Sequence, residues 1–202
     1  MRITEIIFED GNILKPETEQ YMASRGYRHL ASGSSGDVWV KDDKSVTKIV
    51  QSGFGRSPLN SFVSYVLHNP NNPHLPKLFP INGKPVNEFS IGNHKYYEVA
   101  LEKLQPLSPE AQTIVNAISS VGSIGVRTPG PQWYESLRLK LKGLTKQLPQ
   151  PLLDQLPSFL QTARGLYNAA KKGSIAWDMG PGNVTQRADG TLVINDPFGG
   201  GG

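Results

Sequence analysis

Three polar residues near the carboxyl end stand at spacings that suit the transfer of a phosphoryl group. Asp178 is followed five residues later by Asn183, and Asp196 comes thirteen residues after that, behind the apolar run 191–194. In such an order one carboxylate can face an attacking hydroxyl, while the amide and the second carboxylate hold Mg²⁺ against the phosphates. The sequence therefore predicts a catalytic role for Asp178 and a metal site at Asn183 and Asp196.

A glycine-rich turn in the N-terminal half offers another part of such a site. Gly33-Ser34-Ser35-Gly36 precedes an alternating, β-branched segment at 38–40. A dinucleotide-binding unit would need a helix there, and the Walker signature is missing because no Gly-Lys-Ser or Gly-Lys-Thr occurs. The turn is predicted to join two strands, either as an ordinary hairpin or as a loop whose backbone N–H groups approach phosphate oxygens.

A lysine on the following strand is the candidate partner of those phosphates. Lys48 lies within the apolar segment 46–50, twelve residues past Gly36. A buried ammonium group needs an anionic partner, and phosphate oxygens would supply one. The alternative is an edge-strand lysine that points to solvent.

The composition indicates a chain that folds without disulfide bonds. The 202 residues are 37% hydrophobic, carry a net charge of +4 and include no cysteine. This excludes a disulfide framework, a cysteine nucleophile and thiolate metal sites. The first ten residues show no signal pattern, and the longest uncharged stretch, 111–126, is too polar to span a bilayer. We expect a soluble, cytoplasmic protein without a membrane partner.

Hydrophobic periodicity predicts an α+β fold in two parts. The first part, 1–104, is predicted to be β-rich and the second, 105–202, to be helical. Strands are predicted at 3–8, 27–30, 37–40, 45–50, 78–81 and 96–101, with helices at 17–25 and 58–68. Helices follow at 109–120, 131–146 and 157–172, then a loop at 174–183 and a hairpin over 183–194.

One helix carries a dense basic patch. Its cations are Arg138, Lys140, Lys142 and Lys146, and apolar residues recur beside them at helical spacing. We interpret this patch as the solvated face of an amphipathic helix, in preference to a surface for nucleic acid or an acidic partner. The four histidines show no metal-binding spacing, and we expect them to be structural or solvated.

With these residues in order, the chain resembles the protein-kinase-like fold. Gly33 and Gly36 match two of the three loop glycines, and Val38 matches the residue that packs on the base. Lys48 matches the strand lysine that grips the α- and β-phosphates. The resemblance implies ATP as a ligand, bound by the loop including Ser34 and Ser35; one of these serines could also be autophosphorylated.

The resemblance extends to the hinge and to the C-terminal motifs. The backbone near Glu102 and Leu104 would bond adenine, Asp178 matches the catalytic base, and Asn183 and Asp196 match the Mg²⁺ ligands. It implies a minimal two-lobed fold, with a β-rich N-lobe and a helical C-lobe truncated after the metal-binding motif.

Short stretches resemble, in particular, the small host-modifying serine/threonine kinases of short-tailed bacteriophages. They share an Asp-Met-x-x-Gly-Asn type of loop and an Asp-Pro in the metal motif, which here is Asp196-Pro197. This likeness implies host proteins as substrates and the host cytoplasm as location. The chain departs from kinases in general at Ala176, where they have a histidine, and in helix 58–68, which has no acid to pair with Lys48.

Two further interpretations remain open. One is a catalytically weak or inactive pseudokinase that binds a host protein or nucleotide, which the missing acid in helix 58–68 favours. The other is a small-molecule phosphotransferase of the aminoglycoside or choline type. The region 109–172 has only three acidic residues, Glu110, Glu135 and Asp154, which disfavours a cationic acceptor.

Overall fold

The computed structural model describes residues 16–33, 36–52, 56–122, 139–143 and 148–199. The chain divides into two compact units, Met1–Asn60 with Leu78–Lys103 and Ser61–Lys77 with Leu104–Gly202. Residues 61–77 thus belong with the second unit, whereas the division drawn from sequence counts them with the N-terminal part. The predicted strand 3–8 lies outside the described residues.

An antiparallel sheet forms the centre of the first unit. Its strands are β1 (Arg28–Gly33), β2 (Gly36–Val40), β3 (Ser45–Gln51), β4 (Leu78–Phe79), β5 (Asn87–Ile91) and β6 (His94–Glu102). The spatial order is β1-β2-β3-β6-β4, and β5 also pairs with β6. The predicted strands at 27–30, 37–40, 45–50, 78–81 and 96–101 are confirmed within a few residues at their ends, whereas β5 was missed. Its signal was the Gly92-Asn93 turn, which joins it to β6 as a hairpin.

The register of the strands gives the sheet two distinct faces. Val38 of β2 lies opposite Lys48 of β3, which lies opposite Val99 of β6, so these three side chains share one side, the Lys48 face. The other side is covered by α1 (Pro16–Ser24), and we call it the α1 face. Met22 of α1 packs there with buried residues of β2, β3 and β6, namely Trp39, Ile49 and Tyr96.

A buried ion pair attaches α1 to the sheet. The Arg25 guanidinium donates to both carboxylate oxygens of Glu98, at 2.8 and 3.1 Å, and Asn87 donates to the same carboxylate at 2.9 Å. The Glu98 side chain is fully buried, and the hydrogen bond from Arg25 raises the pKa of the guanidinium further above its ordinary value. The Arg25 guanidinium therefore stays charged beside Glu98.

Helices dominate the second unit. They are α2 (Arg56–His68), which begins in the first unit, α3 (Pro109–Gly122) and α4 (Gln150–Lys172). Of the predicted helix 131–146, residues 139–143 are described and are helical. The predicted start of α4 at residue 157 is wrong, because the helix begins at Gln150 and Pro157 lies inside it. Another proline occupies its first turn, where the missing N–H has no cost.

Two short strand pairings complete the second unit. β7 (Ala176–Trp177) pairs with β10 (Phe198–Gly199), and β8 (Val184–Gln186) pairs with β9 (Leu192–Ile194). The predicted hairpin is confirmed. So is the predicted α+β class, with a β-rich unit followed by a helical one, in the element order that the resemblance implies. Among the described residues, no helix has the length and apolar character needed to cross a membrane.

Arg25→Met should destabilise the protein strongly. The change leaves the fully buried Glu98 carboxylate without its cation, which costs about 3 kcal/mol or more. Lys95→Met is the matched control, because it removes the exposed ion pair to Glu88 on the same sheet and should cost about 1 kcal/mol or less. Urea unfolding of both variants measures the difference, and equal losses would contradict a structural role for the Arg25 pair.

Candidate active site

A tight loop after β7 carries the first two candidate residues. The Asp178 carboxylate accepts a hydrogen bond from the Gly180 N–H at 3.1 Å, and the Asn183 side-chain amide donates to the Asp178 carbonyl at 3.1 Å. A 3₁₀ turn over Pro181–Asn183 lies between them. The two polar side chains are thus fixed relative to each other by their own loop.

Backbone hydrogen bonds join this loop to the segment that carries Asp196. The Asp178 N–H donates to the Pro197 carbonyl at 2.8 Å, and the Asn195 N–H donates to the Asn183 carbonyl at 3.0 Å. Asp196 lies between these two bonds. The structure therefore brings Asp178, Asn183 and Asp196 together, although thirteen residues separate the last two in sequence.

Packing beneath the loop keeps it in place. Met179 is buried between the two candidate residues, and its carbonyl accepts a hydrogen bond from Ser119 of α3 at 3.0 Å. The Trp177 ring makes an edge contact with Tyr167 of α4, with centroids 5.8 Å apart. Asp178 itself is exposed, whereas Asn183 and Asp196 are half-buried. The carboxylate of Asp178 is thus the one most accessible to an acceptor.

His74 stabilises the β8–β9 hairpin through hydrogen bonds to β9, a role that its sequence position does not reveal. Its side chain is 1% exposed, and its Nδ1 donates to the Leu192 carbonyl at 2.8 Å. Nε2 lies 2.8 Å from the Ser158 hydroxyl, and the His74 carbonyl accepts from Ile194 at 2.9 Å. The strand that leads into Asp196 is therefore anchored on both sides of its backbone, and the expectation of a structural histidine is confirmed.

In the first unit, Lys48 lies on an inner strand and is 8% exposed, so the alternative of a solvent-pointing edge lysine is wrong. The side chains that share its face are mostly apolar: Val38, Val40, Val50, Tyr97, Val99 and Leu101. Lys48 is therefore a buried cation on a largely apolar face.

The glycine turn lies next to this face. Gly33 and Gly36 form the last pair of the β1–β2 ladder, and Gly36 has a φ of +153°. A Cβ atom at Gly36 would lie 2.2 Å from the Ile49 carbonyl oxygen, so only glycine allows β2 to approach β3 so closely there. Ser34 and Ser35 lie outside the described residues.

The two hinge candidates flank the boundary between the units. Glu102 is the last residue of β6 in the first unit, and Leu104 is the first residue of the second unit's C-terminal part. Within the described ranges no group of three or more histidine and acidic side chains could hold a metal. Any cation site there would depend on a smaller set such as Asn183 and Asp196.

Comparisons with known proteins give only distant structural likenesses. No family model and no curated protein matches the chain. Among solved structures, it is similar to an amicoumacin kinase in complex with AMP-PNP, Ca²⁺ and Ami, with a TM-score of 0.45 and 14% identity over 92% of this chain and 65% of that one. An aminoglycoside phosphotransferase from Alicyclobacillus acidocaldarius gives 0.42 and 12% over 95% and 69%.

A microcompartment-associated aminopropanol kinase gives a TM-score of 0.41 and 12% identity, over 86% of this chain and 65% of that one. The chain thus spans 65% of the length of the amicoumacin and aminopropanol kinases. Similarities of this size establish no activity for the chain.

His74 predicts a specific pH dependence of stability. Burial lowers the pKa of His74 below its ordinary value of 6.5, with a smaller contribution from Arg187, so the folded state keeps the ring neutral where the unfolded state binds a proton. Above pH 6.5, protonation of His74 does not reduce the free energy of unfolding. As the pH falls below 6.5, this free energy should decrease by at most about 1.4 kcal/mol per pH unit, until the pKa of His74 in the folded state is reached.

Urea unfolding between pH 5 and 8 measures this slope. His74→Gln should remove that part of the slope, while His68→Gln, at an exposed position, should keep it. A slope that persists unchanged in His74→Gln would assign the effect to other groups.

Proposed function

We propose that this protein transfers the γ-phosphoryl group of ATP to a hydroxyl group. The observation that carries the proposal is the hydrogen-bonded arrangement of Asp178, Asn183 and Asp196 in one loop and hairpin. It gives a carboxylate for the acceptor and two oxygen-bearing side chains for a cation, which are the parts that phosphoryl transfer needs in the C-terminal half of a kinase.

The donor atoms at Asn183 and Asp196 fit Mg²⁺. The Asn183 amide nitrogen is committed to the Asp178 carbonyl at 3.1 Å, so its oxygen is the atom directed to a ligand. A carboxylate and an amide oxygen are hard ligands of the kind that Mg²⁺ takes beside phosphates and water. When bound, the ion would neutralise charge on the phosphates of ATP.

Asp178 would orient the acceptor hydroxyl and take its proton. The hydrogen bond from the Gly180 N–H fixes the direction of the carboxylate, and its exposure admits a substrate. Because the transition state of phosphoryl transfer is loose, the contribution of such a group lies in positioning and late proton acceptance.

The first unit would bind the nucleotide. Lys48 would offset phosphate charge, Val38 would pack on the base, and the backbone at Gly33–Gly36, including Ser34 and Ser35, would approach the phosphates. The peptide groups near Glu102 and Leu104 would bond adenine. The burial of Lys48 beside an apolar surface supports this assignment.

We propose protein serine or threonine as the acceptor, in host proteins of a phage-infected cell, with the cytoplasm as location. The described part of 109–172 has two acidic residues, Glu110 and Asp154, against five cations: Lys140, Lys142, Arg164, Lys171 and Lys172. This balance disfavours a cationic small molecule. A pseudokinase and a small-molecule phosphotransferase are the competing functions that the test below separates.

Asp178→Asn should abolish phosphoryl transfer while leaving nucleotide binding intact. Loss of a positioned base lowers a rate by about a hundredfold or more. The assay follows radiolabelled γ-phosphate from ATP and Mg²⁺ into bacterial lysate proteins and, separately, into the small-molecule fraction. Asp154→Asn, an exposed aspartate on α4, is the matched control and should keep the full rate.

The outcome of the assay distinguishes the three functions. Label on protein serine or threonine that depends on Asp178 supports the proposed kinase, and label on small molecules alone identifies the second alternative. Raised thermal stability with Mg²⁺ and ATP but no Asp178-dependent transfer indicates a pseudokinase that binds nucleotide. Absence of both nucleotide binding and phosphoryl transfer would refute the proposal.

Gly180→Ala should impair catalysis more than stability. Its Cβ would lie 3.3 Å from the Asp178 carboxylate, which is a tight contact, and at an ordinary 3.9 Å from the Asn183 amide nitrogen, so the methyl group would displace the carboxylate. The φ of −67° is open to alanine, so backbone strain is not expected. We expect the transfer rate to fall about tenfold, because small misplacements of reacting groups are costly.

Thermal unfolding measured beside the transfer rate checks this separation. Gly143→Ala is the control, since no described atom lies within 4 Å of a Cβ there. A full rate in Gly180→Ala would argue against the placement of Asp178 and Asn183 on which the proposed function depends.

A further inference from the structure

A β-bulge in β1 places a polar network beside the glycine turn. His29 pairs with Trp39 and Ala31 pairs with Val38, so Leu30 is an extra residue without a partner in β2 and is 41% exposed. In a regular strand, side chains three positions apart point to opposite faces. The bulge changes this alternation, and His29 and Ser32 both lie on the α1 face.

Three side chains meet there. The Ser32 hydroxyl donates to the Asp37 carboxylate at 2.6 Å, and the His29 Nε2 lies 3.1 Å from the Ser32 oxygen. The same nitrogen is 3.8 Å from the Asp37 carboxylate, and the imidazole ring stands edge-on to Trp39 with centroids 5.0 Å apart. Because Ser32 gives its only proton to Asp37, the network requires an N–H on His29 Nε2.

The network fixes the two strands at the point where the glycine turn leaves them. Ser32 and Asp37 form the pair directly before Gly33 and Gly36, and a charged acceptor makes their hydrogen bond a strong one. Asp37 precedes Val38, whose register partner is Lys48. The network is on the face opposite Lys48, so its members act on the nucleotide side only through the backbone.

We infer that His29, Ser32 and Asp37 are positioning residues that hold Gly33 and Gly36 in the register that phosphate binding would require. The inference rests on the proposed function, since it concerns the affinity for ATP. None of the three would touch the nucleotide. Their role is to keep Gly33 and Gly36 at the spacing that lets backbone N–H groups approach phosphate oxygens. Because this spacing is set before the ligand binds, binding does not have to order the strands.

The test compares wild type with Ser32→Ala, Ser32→Thr and Asp37→Asn, with AMP-PNP and Mg²⁺ as the probe in calorimetric titration. Ser32→Ala and Asp37→Asn should each weaken binding about tenfold, the lower end of what one hydrogen bond to a charged group contributes. Ser32→Thr retains the hydroxyl in a residue suited to strands and should restore wild-type affinity. Asp43→Asn, at a fully exposed aspartate of the same unit, should not change it.

Two further readouts separate positioning from general destabilisation. In the transfer assay, KM for ATP should rise in Ser32→Ala while kcat stays within about twofold, because the network does not touch the reacting atoms. Amide exchange in β1 and β2 of the nucleotide-free protein should be faster in Ser32→Ala and normal in Ser32→Thr, a comparison that holds even if Asp37→Asn folds poorly.

Wild-type affinity and wild-type exchange in Ser32→Ala would overturn this inference and leave the proposed function standing. Absence of nucleotide binding by the wild type would overturn both.

Discussion

Two backbone hydrogen bonds support everything proposed for the second unit. The bond from Asp178 to the Pro197 carbonyl and the bond from Asn195 to the Asn183 carbonyl connect a loop to a hairpin on either side of Asp196. Because main-chain atoms make these two bonds, the bonds do not depend on the side chains of Asp178, Asn183 and Asp196. The burial of Met179 and the hydrogen bond from His74 to Leu192 help to keep these two bonds in place.

The first unit contains a cation that is largely buried from water. Lys48 is 8% exposed on an inner strand, and its neighbours on the same face are largely apolar. Burying an ammonium group is unfavourable unless anions approach it. The other face of the same sheet holds a buried carboxylate, Glu98, which accepts hydrogen bonds from Arg25 and Asn87. Glu98 therefore has a structural role.

Features that depend on local sequence could be predicted, and those that depend on tertiary contacts could not. The hairpin after Asn183 and the strand around Lys48 follow from alternation and turn residues, which act over a few positions. The start of α4 was misplaced because Pro157 reads as a helix start, although a longer apolar face carries the helix through it. His74 showed no signal at all, because its partners are 84 and 118 residues away in sequence. The bulge at Leu30 was equally hidden, since register is set by the neighbouring strand.

That bulge makes the register of β1 against β2 as important as residue identity. If Leu30 were instead drawn into regular pairing with Trp39, His29 would turn to the opposite side of the sheet, even though every residue of the network would still be present. A substitution at Leu30 would leave the geometry unchanged, because its side chain is partly solvated and has no cross-strand partner. The segment should therefore tolerate changes of residue type at position 30 but not a shift of register between β1 and β2.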